Sequence, residues 1–371
     1  MYMRTEILKI IEGGLERNSE KVKSYAKLFS EKLHEEGEGK FASRIMNLLE
    51  NNSDSAHPVY LDEFMKKPVD NDSRLDMVEV TMSNDLKEEI VLPKLTQTKI
   101  DNYVNSLQAR DKFMNLGIDI PESLLLYGPP GCGKTSIAHY IAQKTGLPLV
   151  TAKLDGMISS LLGSTAKNIR KIFNYAQERP CILFLDEFDA IAKARDDGHE
   201  VGELKRVVNS LLQNIDKFNS DSILIAATNH EKLLDPAVWS RFSNIIEIPK
   251  PSKVEIEELV HNNLSIVETD FLNDKKKTDV IVDLMVGLSP AEIKSLCINS
   301  IKQSVLKDEK TVSYVTFLYQ LFLSVGQSND QNEVVNFLYN CGVTQISISK
   351  NLGISQRQLR NMLESKGAEK I

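Results

Sequence analysis

Leu124-Leu125-Leu126-Tyr127-Gly128-Pro129-Pro130-Gly131-Cys132-Gly133-Lys134-Thr135-Ser136 is the stretch that decides the fold. An apolar run of strand character enters a glycine-rich turn, and an amphipathic helical pattern continues over 136–144. The turn fits G-x-x-x-x-G-K-[ST], flanked by strand and helix as that pattern requires. Its glycines let successive backbone N–H groups face one anion, where a Cβ would obstruct them. The start of the following helix adds partial positive charge. In this chemistry Lys134 reaches the β- and γ-phosphates and Thr135 offers a hydroxyl to Mg²⁺. Gly128, Pro129, Pro130, Gly131, Cys132, Gly133, Lys134, Thr135 and Ser136 are therefore the expected phosphate-binding residues.

Working outward, further apolar β-rich runs lie at 147–152, 181–185, 223–227 and 244–248, separated by helical patterns. Strands alternating with helices imply a parallel sheet covered on both faces. The run Cys181-Ile182-Leu183-Phe184-Leu185 ends in Asp186-Glu187. Ligands of open α/β sheets sit at the C-terminal ends of the strands. Asp186 is expected to orient the Mg²⁺ shell, and Glu187 to polarise an attacking water as general base. Asp189 reads as a capping or structural residue. The run Ile223-Leu224-Ile225-Ala226-Ala227 leads to Thr228-Asn229. An amide there either holds the lytic water or touches the γ-phosphate; spacing alone also allows a turn-forming Asn.

In order, the phosphate loop, Asp186-Glu187, Asn229, Leu234-Asp235-Pro236-Ala237-Val238-Trp239-Ser240-Arg241-Phe242 and Gly287-Leu288-Ser289-Pro290-Ala291-Glu292-Ile293 resemble the AAA ATPase family over about residues 95–320. The resemblance implies a P-loop αβα nucleotide-binding domain of α/β class, a small helical lid, bound ATP and Mg²⁺, ATP hydrolysis, and homo-oligomerisation as a ring, usually of six. It is nearest to bacterial stand-alone single-module members, loosely associated with a co-encoded protease. A protein client or such an effector is the implied partner. Arg241 matches the second of two arginines that the family donates across a subunit boundary, and Ser240 occupies the first position. Arg241 is either that catalytic finger, acting alone or helped by Arg195 or Arg206, or an interface ion pair. Leu161, in Ser160-Leu161-Leu162-Gly163, stands where related unfoldases carry a pore-facing aromatic; a plain surface loop is the alternative. His199 and Glu200 lie where a second pore loop is expected.

The flanks carry less chemistry. Ile7/Leu8/Ile11/Leu15, Val22/Tyr25/Phe29/Leu33 and Phe41/Ile45/Leu48/Leu49 recur at helical spacing, so 1–50 reads as an N-terminal helical domain, for packing or docking. Acidic residues dominate 51–92, read as a solvated linker. The αβα domain is assigned to 93–250, the lid to 251–325 and a separate C-terminal helical tail to 328–371. The tail resembles a helix-turn-helix: Ile348, Leu352, Ile354, Leu359 and Leu363 supply apolar contacts, Gly353 the turn and Ser355 a cap. From 344 onward five basic residues oppose two acidic ones. The tail therefore binds either DNA, making the chain an ATP-controlled DNA-bound switch, or protein.

Composition bounds these readings. The 371 residues carry a net charge of −7, which excludes a chain-wide basic field for nucleic acid. Four scattered cysteines form no CxxC pair, arguing against a zinc knuckle or disulfide framework and for a reducing cytoplasm. No apolar run approaches the ~18 residues of a membrane span, so no membrane partner is expected.

Overall fold

The computed structural model describes residues 19–35, 67–70, 76–86, 89–117, 123–152, 162–178, 180–190, 201–218, 222–325 and 330–364, with a few isolated positions besides. The chain divides into two compact units, Met1–Lys66 and Lys67–Ile371. In the first, α1 (Ser19–Glu35) places Leu33 in the interior, and the Ser30 hydroxyl donates to the Ala42 carbonyl at 2.9 Å. Most of the other two expected N-terminal helices lies outside the described residues.

The second unit opens with β1 (Val78–Thr81), α2 (Lys94–Gln108), β2 (Ser123–Tyr127), α3 (Lys134–Thr145), β3 (Leu149–Ala152), α4 (Leu162–Gln177), β4 (Ile182–Leu185), α5 (Val201–Lys217), β5 (Ile223–Thr228), α6 (Pro236–Trp239) and β6 (Asn244–Glu247). The strands form one sheet in the order β1-β3-β4-β5-β2-β6, parallel except for β1. Leu124, Leu125, Leu126, Ile225 and Ala226 are fully buried. Strands covered on both faces lose the polar alternation of half-exposed ones, which is why these read as unbroken apolar runs. Tyr127 pairs with Thr228, and Leu185 with Ala226. That register brings Gly128, Asp186 and Asn229 to one edge of the sheet, each just past its strand.

Two expectations about domain limits change here. The supposed linker 51–92 contains β1, which pairs antiparallel with β3, while Met77, Val78 and Leu86 are buried. Its charges conceal a strand because an edge strand buries one face and keeps residues such as Glu79 in water. Upstream, the buried Asn168 side chain donates to buried Asp70 at 2.9 Å, tying this segment to α4.

The helical region comprises α7 (Lys253–Leu264), β7 (Glu268–Thr269), α8 (Lys275–Met285), α9 (Pro290–Leu306), β8 (Thr311–Val312), α10 (Tyr314–Val325), α11 (Gln331–Asn340), α12 (Gln345–Leu352) and α13 (Gln356–Glu364). The tail is not a separate body. Val335, Leu338, Ile348 and Leu359 belong to the same apolar core as Ile256, Ile293, Phe317 and Leu321. Each such side chain contributes about 1.5–3 kcal/mol when removed from water, so the lid and the last three helices stabilise one another.

Candidate functional site

The cavity forms where β2 turns into α3. Gly128 has φ +143°, and a Cβ there would stand 2.2 Å from the Ile248 carbonyl oxygen. No side chain fits against that backbone atom. Gly131 (φ +73°) abuts the lid: its Cβ would lie 2.9 Å from Ser289 Oγ. Gly133, left-handed at φ +91°, caps α3 without any side-chain hydrogen bond. The first amides of α3 thus keep their N–H groups for a ligand.

Lys134 is 6% exposed, and its Nζ donates to the carbonyls of Gly128 and Pro129, both at 2.8 Å. Burial pushes its ammonium below the ordinary lysine range, partly offset by nearby acidic groups such as Asp186. Burial likewise raises the Cys132 thiol. Across the cavity the Thr135 hydroxyl donates to Asp186 Oδ2 at 3.0 Å, and the Glu187 amide donates to Asp186 Oδ1 at 2.9 Å. Glu187 sits at φ +50°, a left-handed conformation that costs a non-glycine residue on the order of 1 kcal/mol. The turn is held by the Phe188 amide donating to the Ala227 carbonyl at 2.9 Å, and Phe188 is buried edge-on to Phe242.

Asp189 is structural, as one of its sequence readings has it, but with a reach the sequence did not signal. It is 3% exposed and accepts from Thr228 Oγ1 and the Asn229 amide, both at 3.3 Å. It therefore ties the end of β4 to the end of β5 and holds the backbone of Asn229.

The loop residues Pro130 to Ser136, Asp186, Glu187 and Asn229 line one cavity of about 1050 Å³. Sequence reading missed others that line it: Glu89, Ile90, Val91 and Leu92, within the supposed linker, and Leu259, Asn262, Asn263 and Lys294 of the lid. The Gly287-to-Ile293 pattern was the available signal for the lid. Ser289 and Glu292 make a capping box on α9, and the Ala291 amide donates to the Gly131 carbonyl at 3.2 Å. Lys250 Nζ adds a bond to the Gly287 carbonyl at 2.5 Å. Through the Ala291–Gly131 bond the lid touches the glycine-rich loop itself.

Arg241 is not among the residues that line the cavity. Its Nε lies 2.9 Å from Asp216 Oδ1 on α5, and Nη1 donates to the Ala237 carbonyl. Leu161, Arg195, His199 and Glu200 lie outside the described residues, as does the side chain of Arg206.

Hydroxyl and carboxylate oxygens at Thr135 and Asp186 suit a hard cation. Among the described residues no cluster of three or more His, Cys, Asp or Glu could cage a metal alone. Mg²⁺ needs none, because it is typically held by one or two carboxylates together with substrate phosphates. Among the described residues no helix is long and apolar enough to cross a membrane.

Residues 124–250 match the family described as "ATPase family associated with various cellular activities (AAA)". The chain is 39% identical over 237 residues to an uncharacterized AAA family ATPase of Sinorhizobium fredii, covering 64% of this chain and 70% of that protein. It is 30% identical over 275 residues to the ATP-dependent zinc metalloprotease FtsH of Rhodothermus marinus, covering 71% of this chain but 37% of that protein. Similarity to proteasome-activating nucleotidase 1 of Haloferax volcanii is also 30% over 275 residues, covering 66% of that protein.

Proposed function

The chain belongs to the AAA family of ATPases, and from that membership we propose that it is a Mg²⁺-dependent ring ATPase whose hydrolysis cycle remodels or regulates a partner protein. The observation that carries the reading is the Thr135–Asp186 contact at 3.0 Å, in a cavity also lined by Lys134, Glu187 and Asn229. The loop amides and the start of α3 bind the phosphates, and Lys134 turns its ammonium to the β- and γ-phosphoryl oxygens. Thr135 and Asp186 hold Mg²⁺, which when bound neutralises charge on the phosphates. Glu187 takes the proton of the attacking water and Asn229 orients that water. Asp189 keeps Asn229 in place.

The bond from the Ala291 amide to the Gly131 carbonyl gives the cycle its mechanical output, since a change at the phosphates is felt at α9. The names of two similar proteins support a protein as partner, one being a protease and the other a proteasome activator. A co-encoded protease fits the same reading. Arg241 acts from the neighbouring subunit of a six-membered ring, with Asp216 holding its guanidinium at the surface until assembly.

Glu187→Gln tests the base. Turnover, read as phosphate release, falls by about 10²–10⁴-fold, while ATP is retained and the oligomer becomes more stable in analytical ultracentrifugation. Hydrolysis at the parental rate would remove Glu187 from this role.

A further inference from the structure

The last three helices pack pairwise: α11 with α12, and α13 with both. The turn between α12 and α13 is short. Gly353 caps α12 in the left-handed conformation at φ +67°, and its amide donates to the Ser349 carbonyl. The Ile354 amide donates to the same carbonyl at 3.1 Å. Ser355 and Gln358 then cap α13, the Gln358 amide donating to Ser355 Oγ at 3.3 Å and the Ser355 amide to Gln358 Oε1 at 2.9 Å. Fully buried Ile348 and Leu359 lock the pair together. Two short helices joined by a glycine turn and packed on a third share the connectivity of a helix-turn-helix.

The lid packs on the other side of that unit. Helix α10 lies against α11 and α12. Gln356, Arg357, Arg360 and Asn361 are exposed on α13, at the spacing of one helical face. Lys350 adds an exposed ammonium from α12. Guanidinium groups pair with guanine edges or phosphates, and planar amides pair with adenine. One carboxylate, the exposed Glu364 of the last turn, shares this face with the four side chains, so the face carries two guanidinium groups against one acid. The apolar residues of α13, Leu359, Met362 and Leu363, all belong to the core or pack against it. A helix that docks protein would turn an apolar stripe outward; this one turns hydrogen-bonding and cationic groups outward on a chain of net charge −7.

We propose that α11–α13 bind duplex DNA, with α13 in the major groove, and that the lid carries this module as part of its own core. The attachment is specific. Tyr314 Oη donates to the Cys341 carbonyl at 3.0 Å, and Asn351 Nδ2 donates to buried Thr316 Oγ1 at 3.1 Å. Phe322 and Phe337 pack with ring centroids 5.2 Å apart. A lid that moves with nucleotide moves α13 with it, so DNA affinity and nucleotide affinity are linked reciprocally. This linkage, unlike DNA binding itself, rests on the ATPase reading.

The test is fluorescence anisotropy of the full chain with a labelled random-sequence duplex of about 30 base pairs. Binding is expected at about 50 mM salt and weakens at least about tenfold by about 200 mM. The double variant Arg357→Ala/Arg360→Ala loses at least about tenfold in DNA affinity, with its melting temperature and DNA-free ATP hydrolysis unchanged. Absence of binding at low salt with protein up to about 100 µM, or equal affinity in the double variant, overturns the proposal. In the Glu187→Gln protein, DNA affinity differs between ATP and ADP, and DNA shifts the ratio of ATP to ADP affinities by the same factor. Equal affinities, with both nucleotides shown to be bound, overturn the linkage to the lid. Loss of hydrolysis in the parent protein would count against the ATPase reading and leave DNA binding to be judged on its own curve.

Discussion

Helices α3 and α9 begin at the same cavity and begin in opposite ways. Helix α3 starts from Gly133, which offers its amides no side-chain acceptor. Helix α9 starts from Ser289 and Pro290, with Glu292 closing a capping box: the Ser289 hydroxyl accepts from the Glu292 amide, and the Ser289 amide donates to Glu292 Oε2 at 2.7 Å. A helix that satisfies its own first amides gains stability, on the order of 1 kcal/mol for a good cap. One that leaves them open keeps them for an anion. On the proposed function the contrast separates binding from support: the open start of α3 is the one suited to an anion, and the self-capped start of α9 forms part of the cavity wall.

Gly133→Asn strikes at that contrast with the largest expected effect. Asparagine tolerates the left-handed backbone, and nothing lies within 4 Å of a Cβ built at this position. The side chain would stand in space the ligand needs. ATP retention by equilibrium dialysis falls by about tenfold or more, equivalent to about 1.4 kcal/mol, with only a small change in melting temperature. A variant that binds ATP normally would show that the open start of α3 is not the anion site.

Ser289→Ala should give the reverse pattern on a smaller scale. It removes a cap of about 1 kcal/mol and lowers the melting temperature by about 2–4 °C, while ATP binding changes less than in the Gly133 variant. An equal loss of ATP binding in both would erase the distinction between the two helix starts.

The smallest effect is a pH dependence. Hydrogen bonds from the Ser289 amide and then its hydroxyl hold the Glu292 carboxyl below its ordinary value. A depressed folded-state pKa stabilises the protein above the unfolded value and ceases to do so as pH falls through the folded one. The contribution is therefore complete above about pH 4.5 and fades in more acidic solution. Glu292→Gln should flatten this part of the profile in urea titrations between about pH 5 and 3; an unaltered slope would place the acid sensitivity elsewhere.

Much of the site could be read before any tertiary contact was known. The strands fall within two residues of the apolar runs, because a buried parallel strand shows itself as uninterrupted apolar sequence. Lys134, Thr135, Asp186, Glu187 and Asn229 were legible for a related reason. Each immediately follows a strand or opens the helix after it, and strand ends are where an α/β sheet presents its chemistry. Edge strand β1 was not legible, since half its surface faces water and its acidic neighbours read as linker. Nor were the ties made by Asp189, because a carboxylate one turn past a motif looks the same whether it caps a turn or joins two strands.

By itself the sequence determined what depends on a few consecutive residues: the glycine turn, the apolar strands, the capped starts of α9 and α13. These are governed by backbone sterics and local hydrogen bonds, which act over one or two turns of chain. Only the tertiary structure decided which segments share a core. It joined the last three helices to the lid, brought Asp70 to Asn168 and set Arg241 against Asp216. Such pairings depend on how buried surfaces fit once the chain has closed on itself, and no local pattern encodes that fit.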